Sequence, residues 1–331
     1  MKKILAAVLA AGLMTTVALP AQAKKTIRLT SQLPATSVLG KNVAMFKKEV
    51  EEATKGEIEI QIFDSGQLYD DKDVPKAVGS GQIEMGIASL ARYVGDVPAV
   101  DVFYVPFLFE SDEKLAKAVA PGSVVRKPID DAILAKTGGR VLWWQAYGAA
   151  ILLTKGDPIK SPEELKGKKV RVFGKLLGTW VTANGGSPVN VAGNEQFFAY
   201  QRGTVDVGMT APDTIKSRKI WEVMSSVTLG NTAAVEFLVV MNEKAWAALT
   251  PDQQKIFATA GQRAEKTLRA EFAGIAKEAI DAGKANKMVI HTPTEAELVK
   301  WRASSDAVRD EFLKTAGPLG KQVYDAAVGL K

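Results

Sequence analysis

Cysteine is absent from the chain and histidine occurs once. Those two absences remove several chemistries together. Thiolate nucleophiles, disulfides, iron–sulfur clusters, and Cys-based or multi-histidine metal sites all lack their ligands. No G-x-G-x-x-G follows a strand pattern and no G-K-[ST] occurs, so dinucleotide and P-loop phosphate binding have no loop to use. G-x-S-x-G is missing as well, and a serine triad would have to recruit His291. That residue ends the short apolar run KMVIH just before a helix start, a setting that suits a surface or capping histidine better than a general base. A pair of carboxylates is the one catalytic arrangement the composition leaves open.

Charge of one sign is not concentrated anywhere. Lys and Arg number 43 against 37 Asp and Glu, a formal net charge of +6. The two signs are interspersed along helical patterns, as on a solvated face, and form no basic block of the kind that nucleic acid requires. One segment is apolar at length. Ile4 to Leu19 follows Lys2 and Lys3 and precedes Ala21-Gln22-Ala23, which reads as an export signal cleaved after Ala23. No later segment approaches the roughly 20 apolar residues of a spanning helix. The sequence therefore predicts a protein exported to a bacterial periplasm, with a folded part in residues 24–331 long enough for two lobes with cores of their own.

Along that part, short β-rich runs alternate with helical patterns. KTIRLTSQL, GEIEIQIF and IEMGIASL read as strands, with an amphipathic helix at GKNVAMFKKEVEEAT and a short one at VPKAVGSG. RVLWWQAYG at 140–148 predicts a further strand, and a new module begins near TKGDPIKSPEELKGKKVRVFG. Ser161-Pro162-Glu163-Glu164 predicts a capping box opening a short helix. A second set follows, with helices at 176–184 and near 194–202 and strands at TVDVGMT and VEFLVVMN. Such alternation predicts βαβ units and parallel sheets covered by helices. From Thr250 to about Asn286 the pattern stays helical, roughly 50 Å at 1.5 Å per residue, which fits either breaks at Gly261, Gly274 and Gly283 or a helix crossing between lobes. Two closing helices are predicted at 295–315 and 319–329.

One charge stands out from this pattern. In Lys169-Val170-Arg171-Val172-Phe173, Arg171 interrupts a valine-rich strand and shares a face with Phe173. It lies near the carboxyl end of that strand, where open α/β sheets place their ligands, and the helix after Gly174 aims its N-terminus at the same region. A guanidinium fork beside an aromatic ring suits a planar carboxylate. An ordinary surface or salt-bridged arginine fits these residues too.

The order and spacing of PFLF, LKGKKVRVFG, GGSPV and QRGTVDVGMTAP, with DSGQLYDDKDVPKAVGSGQIEMGIAS upstream, resemble the DctP-type solute-binding proteins of tripartite ATP-independent periplasmic (TRAP) transporters. The resemblance covers nearly all of residues 24–331 and implies a two-lobe α/β fold, type II-like, with hinge strands and a long lobe-spanning helix. It implies one lobe of residues 24–148 with about 237–276, a second of 149–236 with about 277–304, and C-terminal helices from about 305 packing across both. It implies further a ligand closed between the lobes, no enzymatic activity, no cofactor and no metal. It implies as partners a small and a large integral membrane subunit driven by an ion gradient, with the binding protein a monomer.

In that family an arginine on the strand after the LKG turn grips a ligand carboxylate, and Arg171 stands there. A polar contact is expected from Met209-Thr210-Ala211-Pro212, and since Ala211 has no polar side chain, Thr210 or Asp213 is the expected donor. Gln32 and Ser37 after the first strand, Ser89 and Tyr93 after the third, and Trp143, Trp144 and Tyr147 near the crossing are further expected pocket residues. Asn231 and Glu236, on the strand returning to the first lobe, complete the set. Many relatives carry a second arginine in a G-[FM]-R-x-x-T segment, where YGAAILLT places Ile151 here. That departure favours a monocarboxylate over a C4-dicarboxylate or a sialic acid. The alternatives are a binding protein serving a sensor or receptor, and a periplasmic α/β enzyme using an acidic pair.

Overall fold

The structure, a computed structural model, describes residues 24–230 and 233–330; the export signal and Asn231 lie outside the described residues. The first lobe opens with β1 (Lys25–Ser31), α1 (Val38–Ala53), β2 (Ile58–Phe63), α2 (Val74–Gly79) and β3 (Met85–Ser89). Helices α3 (Asp112–Val119) and α4 (Arg126–Thr137) precede β4 (Gly139–Ala149). The second lobe takes over at β5 (Ile151–Thr154) and continues through β6 (Lys169–Val172), α5 (Lys175–Ala183), β7 (Ser187–Asn190) and α6 (Gln196–Gln201). It goes on to β8 (Val207–Thr210), α7 (Asp213–Ser217) and β9 (Ser226–Thr228). Strand β10 (Ala234–Asn242) returns to the first lobe, followed by α8 (Glu243–Ala247) and α9 (Pro251–Ala285). Strand β11 (Val289–His291) rejoins the second, and α10 (Glu295–Ala303), α11 (Asp306–Thr315) and α12 (Gly317–Gly329) follow.

The two sheets run β2-β1-β3-β10-β4 and β11-β9-β5-β8-β6-β7. Neither is fully parallel, although the βαβ alternation predicted parallel sheets. Strand β10 runs antiparallel to β3 and β4, and β5 antiparallel to β8 and β9. The exceptions are strands that have just crossed from the other lobe, and each lies between two strands of the sheet it joins. Every residue of β10 is buried, so its AVEFLVVMN run is apolar on both faces but for Glu236 and Asn242.

Helix α9 is one unbroken 35-residue element, started by a capping box in which Thr250 and Gln253 satisfy each other's backbone N–H groups. It lies against α1 and β4 in the first lobe and α7 and β11 in the second. Length beyond a single lobe is thus explained by crossing. In the first lobe its Phe257 meets Phe46 edge-on at 5.5 Å, and Phe46 in turn packs on Trp143 at 4.5 Å. Trp180 of α5 packs on Trp301 of α10 at 5.5 Å, while α12 lies on the 3-10 turn Pro98–Tyr104 of the first lobe, so the closing helices lead back across.

Two local expectations change. Ser161 caps no helix with its side chain: Pro162–Leu165 is a single 3-10 turn, too short to need one. The closing segment contains three helices, because Ser304 and Ser305 both donate to the Trp301 carbonyl at 2.8 and 3.0 Å and divert it from the helical ladder. His291 ends β11, with its Nε2 at 3.0 Å from the Glu297 carboxylate that also completes the Thr294 capping box.

The lobes are joined at a hinge of small residues. Between β4 and β5 stands Ala150 alone, and Gly148, with φ of 98°, bends the strand against Phe272 of α9. A Cβ at Gly148 would lie 2.4 Å from that ring, so both the backbone angle and the close approach require glycine.

Candidate functional site

The cleft between the lobes is where the carboxyl ends of β1 and β3 face those of β6 and β8. Gln32, Asp71, Ser89 and Arg92 line it from the first lobe, and Arg171, Phe173, Gln196, Thr210 and Arg218 from the second. Tyr147, Val235 and Phe237 form the floor beside the hinge. The lobes touch across it. Gly193 donates its N–H to Gln32 Oε1 at 3.1 Å, Asn194 Nδ2 donates to Asp70 Oδ1 at 3.3 Å, and Tyr104 meets Phe173 edge-on at 5.7 Å. About 30 Å³ of free space remains, room for about two waters.

Arg171 is 4 % exposed and sits opposite Gly208 in the β6–β8 register. Gly208 is needed because the Tyr200 hydroxyl occupies the place of its Cβ, walling one side of the guanidinium's chamber. Arg171 Nε donates to the Val191 carbonyl at 3.0 Å and Nη1 to the Met209 carbonyl at 2.6 Å. Its Cζ lies 5.4 Å from the centre of the Phe173 ring. No carboxylate among the described residues forms an ion pair with it. Burial, first of all, and then the like charges of Arg218 and Arg92 pull its pKa down to about 10.

Opposite it, Asp71 is fully engaged. Its Oδ1 accepts from the Ser89 N–H at 2.8 Å, and its Oδ2 accepts from the Ser89 hydroxyl at 2.8 Å and from Arg92 Nε at 2.5 Å. Asp71 thus neutralises Arg92 and spends Ser89 on orientation. Thr210 Oγ1 lies 2.9 Å from Thr214 Oγ1, which lies 3.1 Å from the Tyr147 hydroxyl, a chain of hydroxyls leading from β8 through α7 to the end of β4.

Of the residues expected at the site, Arg171, Phe173, Thr210, Ser89, Gln32 and Tyr147 share this cleft. Six others among the described residues do not line it. Trp144 points to the opposite face of β4, donating its indole N–H to Asp130 at 2.8 Å beneath Arg126 and Phe103, because adjacent strand residues face opposite ways. Tyr93 is completely buried in the turn after β3, its hydroxyl without a hydrogen-bond partner. Asp213 opens α7 on the outer side, lining a groove of about 530 Å³ shared with α1 and α9, where burial holds its carboxyl above the usual range. Glu236 turns to the back of the hinge and pairs with both Arg269 nitrogens at 3.1 and 2.9 Å. Arg269 also meets Glu265 at 3.3 Å, which holds Arg126 at 2.6 Å, so Glu236 belongs to a buried structural network. Ser37 caps α1, Trp143 packs on Phe46 with its indole N–H donated to Asn42 Oδ1 at 3.1 Å, and Ile151 lies in the core of the second lobe.

Sequence reasoning missed Asp71, Arg92, Gln196 and Arg218. Arg92, in ASLARYV, carried the signal that singled out Arg171, a lone arginine among apolar residues at a strand's end. Asp71 in YDDKD and Arg218 in KSRK looked like ordinary solvated charge.

Among the described residues, no helix is long and apolar enough to cross a membrane. The chain matches the bacterial extracellular solute-binding protein family 7, DctP, over residues 29–315. It is 28% identical over 286 residues to the C4-dicarboxylate-binding periplasmic protein DctP of Rhodobacter capsulatus, covering 84% of this chain and 83% of that one. To the 2,3-diketo-L-gulonate-binding periplasmic protein YiaO of Escherichia coli it is 27% identical over 300 residues, 90% and 88% of the two chains. A TRAP periplasmic solute-binding protein of Sulfurospirillum deleyianum with bound succinate superposes with a TM-score of 0.85 at 27% identity, covering 93% of this chain and 100% of that one. A Bordetella pertussis extracytoplasmic solute receptor binding pyroglutamic acid shares the fold, with a TM-score of 0.86 at 24% identity over 92% and 99% of the chains. The chain belongs to the DctP family of extracellular solute-binding proteins, the substrate-binding components of TRAP transporters, which bind small organic acids and are not enzymes.

Proposed function

We propose that the chain is the periplasmic receptor of a TRAP transporter and holds a small organic acid in the cleft, with the acid's carboxylate on Arg171. The observation that carries this reading is an unpaired buried charge. Two neutral carbonyls hold the guanidinium in place, and no carboxylate pairs with it among the described residues. A lone buried charge costs folding free energy, and an arriving carboxylate, gripped bidentately, offsets that cost. The acids named for the relatives, C4-dicarboxylate and 2,3-diketo-L-gulonate, and for the solved neighbours, succinate and pyroglutamic acid, all present such a group. The sequence alone favours one carboxylate because Ile151 replaces the family's second arginine; Arg218 bears on that preference below.

With about 30 Å³ free, the cleft admits an acid of that size only after the lobes part. Opening bends the chain at Ala150 and breaks the Gln32–Gly193 and Asp70–Asn194 bridges. Closure about the ligand then selects the form that docks on the small and large membrane subunits, which draw on an ion gradient. In the same reading residues 24–148 with about 237–276 move as one lobe, residues 149–236 with about 277–304 as the other, and the helices from about 305 pack across them. The chain is exported, cleaved after Ala23 and works as a monomer.

A thermal-shift screen of the processed protein against mono- and dicarboxylates and sulfonates, with Arg171→Ala alongside, tests this. A ligand at about 100 times its Kd adds roughly 2.7 kcal/mol of stability. Stabilisation of the wild type and not of the variant is the expected result. Equal stabilisation of both removes Arg171 from the site, and silence across the panel removes the organic-acid reading.

A further inference from the structure

Arg218 follows α7 and reaches the cleft from the second lobe. Its Nη1 is buried without a hydrogen-bond partner, and it forms no ion pair among the described residues. Its charge acts on the same space as Arg171, whose pKa it helps to lower. The acidic groups around it are otherwise placed: Asp71 is spent on Arg92 and Ser89, and Asp213, which feels the charge of Arg218, lines the outer groove and makes no ion pair with it. Neither Arg171 nor Arg218 therefore has an ion-pair partner among the described residues, and Arg218 presents a buried donor with nothing to donate to. An orphaned donor of that kind is costly in a native fold and marks a place where a partner arrives from outside.

We propose that Arg218 is the second anion-holding residue of this cleft, taking from α7 the part that position 151, an isoleucine buried in the second lobe's core, cannot play. The ligand then carries a carboxylate for Arg171 and a second acidic group, spaced from it, for Arg218. This rests on the organic-acid reading of the site and replaces the single-carboxylate preference drawn from Ile151. The geometry explains how a chain without an arginine at 151 keeps two cations in the cleft: the loss on β5 is made good from a helix that lines the same space.

Isothermal titration of the full processed protein with matched acids, butyrate against succinate and valerate against glutarate, tests the assignment in wild type, Arg218→Gln and Arg171→Gln. The wild type should prefer the dicarboxylate of the better pair by about 30-fold or more, as expected when one buried charged contact is made or lost. Arg218→Gln should erase that preference by weakening the dicarboxylate far more than the monocarboxylate, a selective change that a structural role would not produce. Arg171→Gln should weaken both acids. A dicarboxylate preference that survives in Arg218→Gln overturns the assignment, as does a wild type that binds both acids of each pair equally. A wild type that binds no acid of either kind refutes the organic-acid reading, and the inference falls with it.

Discussion

Arg171→Met separates a ligand anchor from a structural arginine. Burial and like charges pull the guanidinium pKa down to about 10, which corresponds to roughly 3 kcal/mol working against the charged form in the closed protein. Methionine fills much of the same volume without a charge, so that penalty disappears. Against this, the Val191 and Met209 carbonyls each lose a donor, at about 1–1.5 kcal/mol apiece. The two effects nearly cancel, and the ligand-free variant should stay within about 1 kcal/mol of wild type in urea denaturation. A structural arginine behaves otherwise: breaking a buried ion pair strands the opposite charge and costs about 3–5 kcal/mol. The same variant should lose ligand-induced stabilisation entirely. A loss of about 3 kcal/mol or more without ligand would refute the reasoning, because it would mean that Arg171 balances a charge inside the protein.

Three further outcomes follow from the structure. Asp101 is 6 % exposed, Oδ1 has no partner, and burial pushes its carboxyl to about 7 against the weak pull of Lys175. A raised folded-state pKa means that the protonated acid is preferred in the fold, so stability is fullest below about pH 4, declines as pH rises to about 7 and is level above that. Asp101→Asn should therefore gain about 2 kcal/mol or more at pH 8 and almost nothing at pH 4, and an equal gain at both would show that ionisation is not the cause. Gly148→Ala places a Cβ 2.4 Å from the Phe272 ring at φ of 98°, a loss of about 2–3 kcal/mol in denaturant, part of which Phe272→Ala should restore in the double variant. Additive losses in that cycle would rule out the clash. Glu265→Gln removes the charge between Arg126 and Arg269 and should cost about 3 kcal/mol with little change in ligand affinity; a large affinity loss would tie the network to the cleft.

Much of the site was readable because its key signal is a violation of pattern. Arg171 breaks a run of valines, and a cation inside a buried strand needs a reason. Ser89 and Gln32 were placed by the general rule that ligands gather at strand ends. Trp144 and Tyr93 were misplaced because strand-end position says nothing of which face a ring takes, and large rings are buried by default. Glu236 lies on the strand expected to return along the cleft, yet it alternates with Val235 and Phe237, which line the cleft, and so faces away from it toward Arg269. Arg218 gave no warning, since KSRK after a short helix has the composition of any solvated turn.

The chain's local chemistry alone decided the absence of thiol and multi-histidine chemistry, the α/β alternation, the long helical segment with its Thr250 cap, and the unusual arginine in β6. These depend on residue type and near-neighbour spacing, which a sequence displays in full. Tertiary structure alone decided which charges are paired. Asp71 and Arg92 are 21 positions apart and meet only through a turn, while Arg171 and Arg218, from a strand and a helix of the same lobe, meet in the space that the other lobe closes. Whether a charge is neutralised inside the protein or left for a ligand depends on distances that no periodicity encodes, and that balance of charge is what makes this cleft a place for an acid.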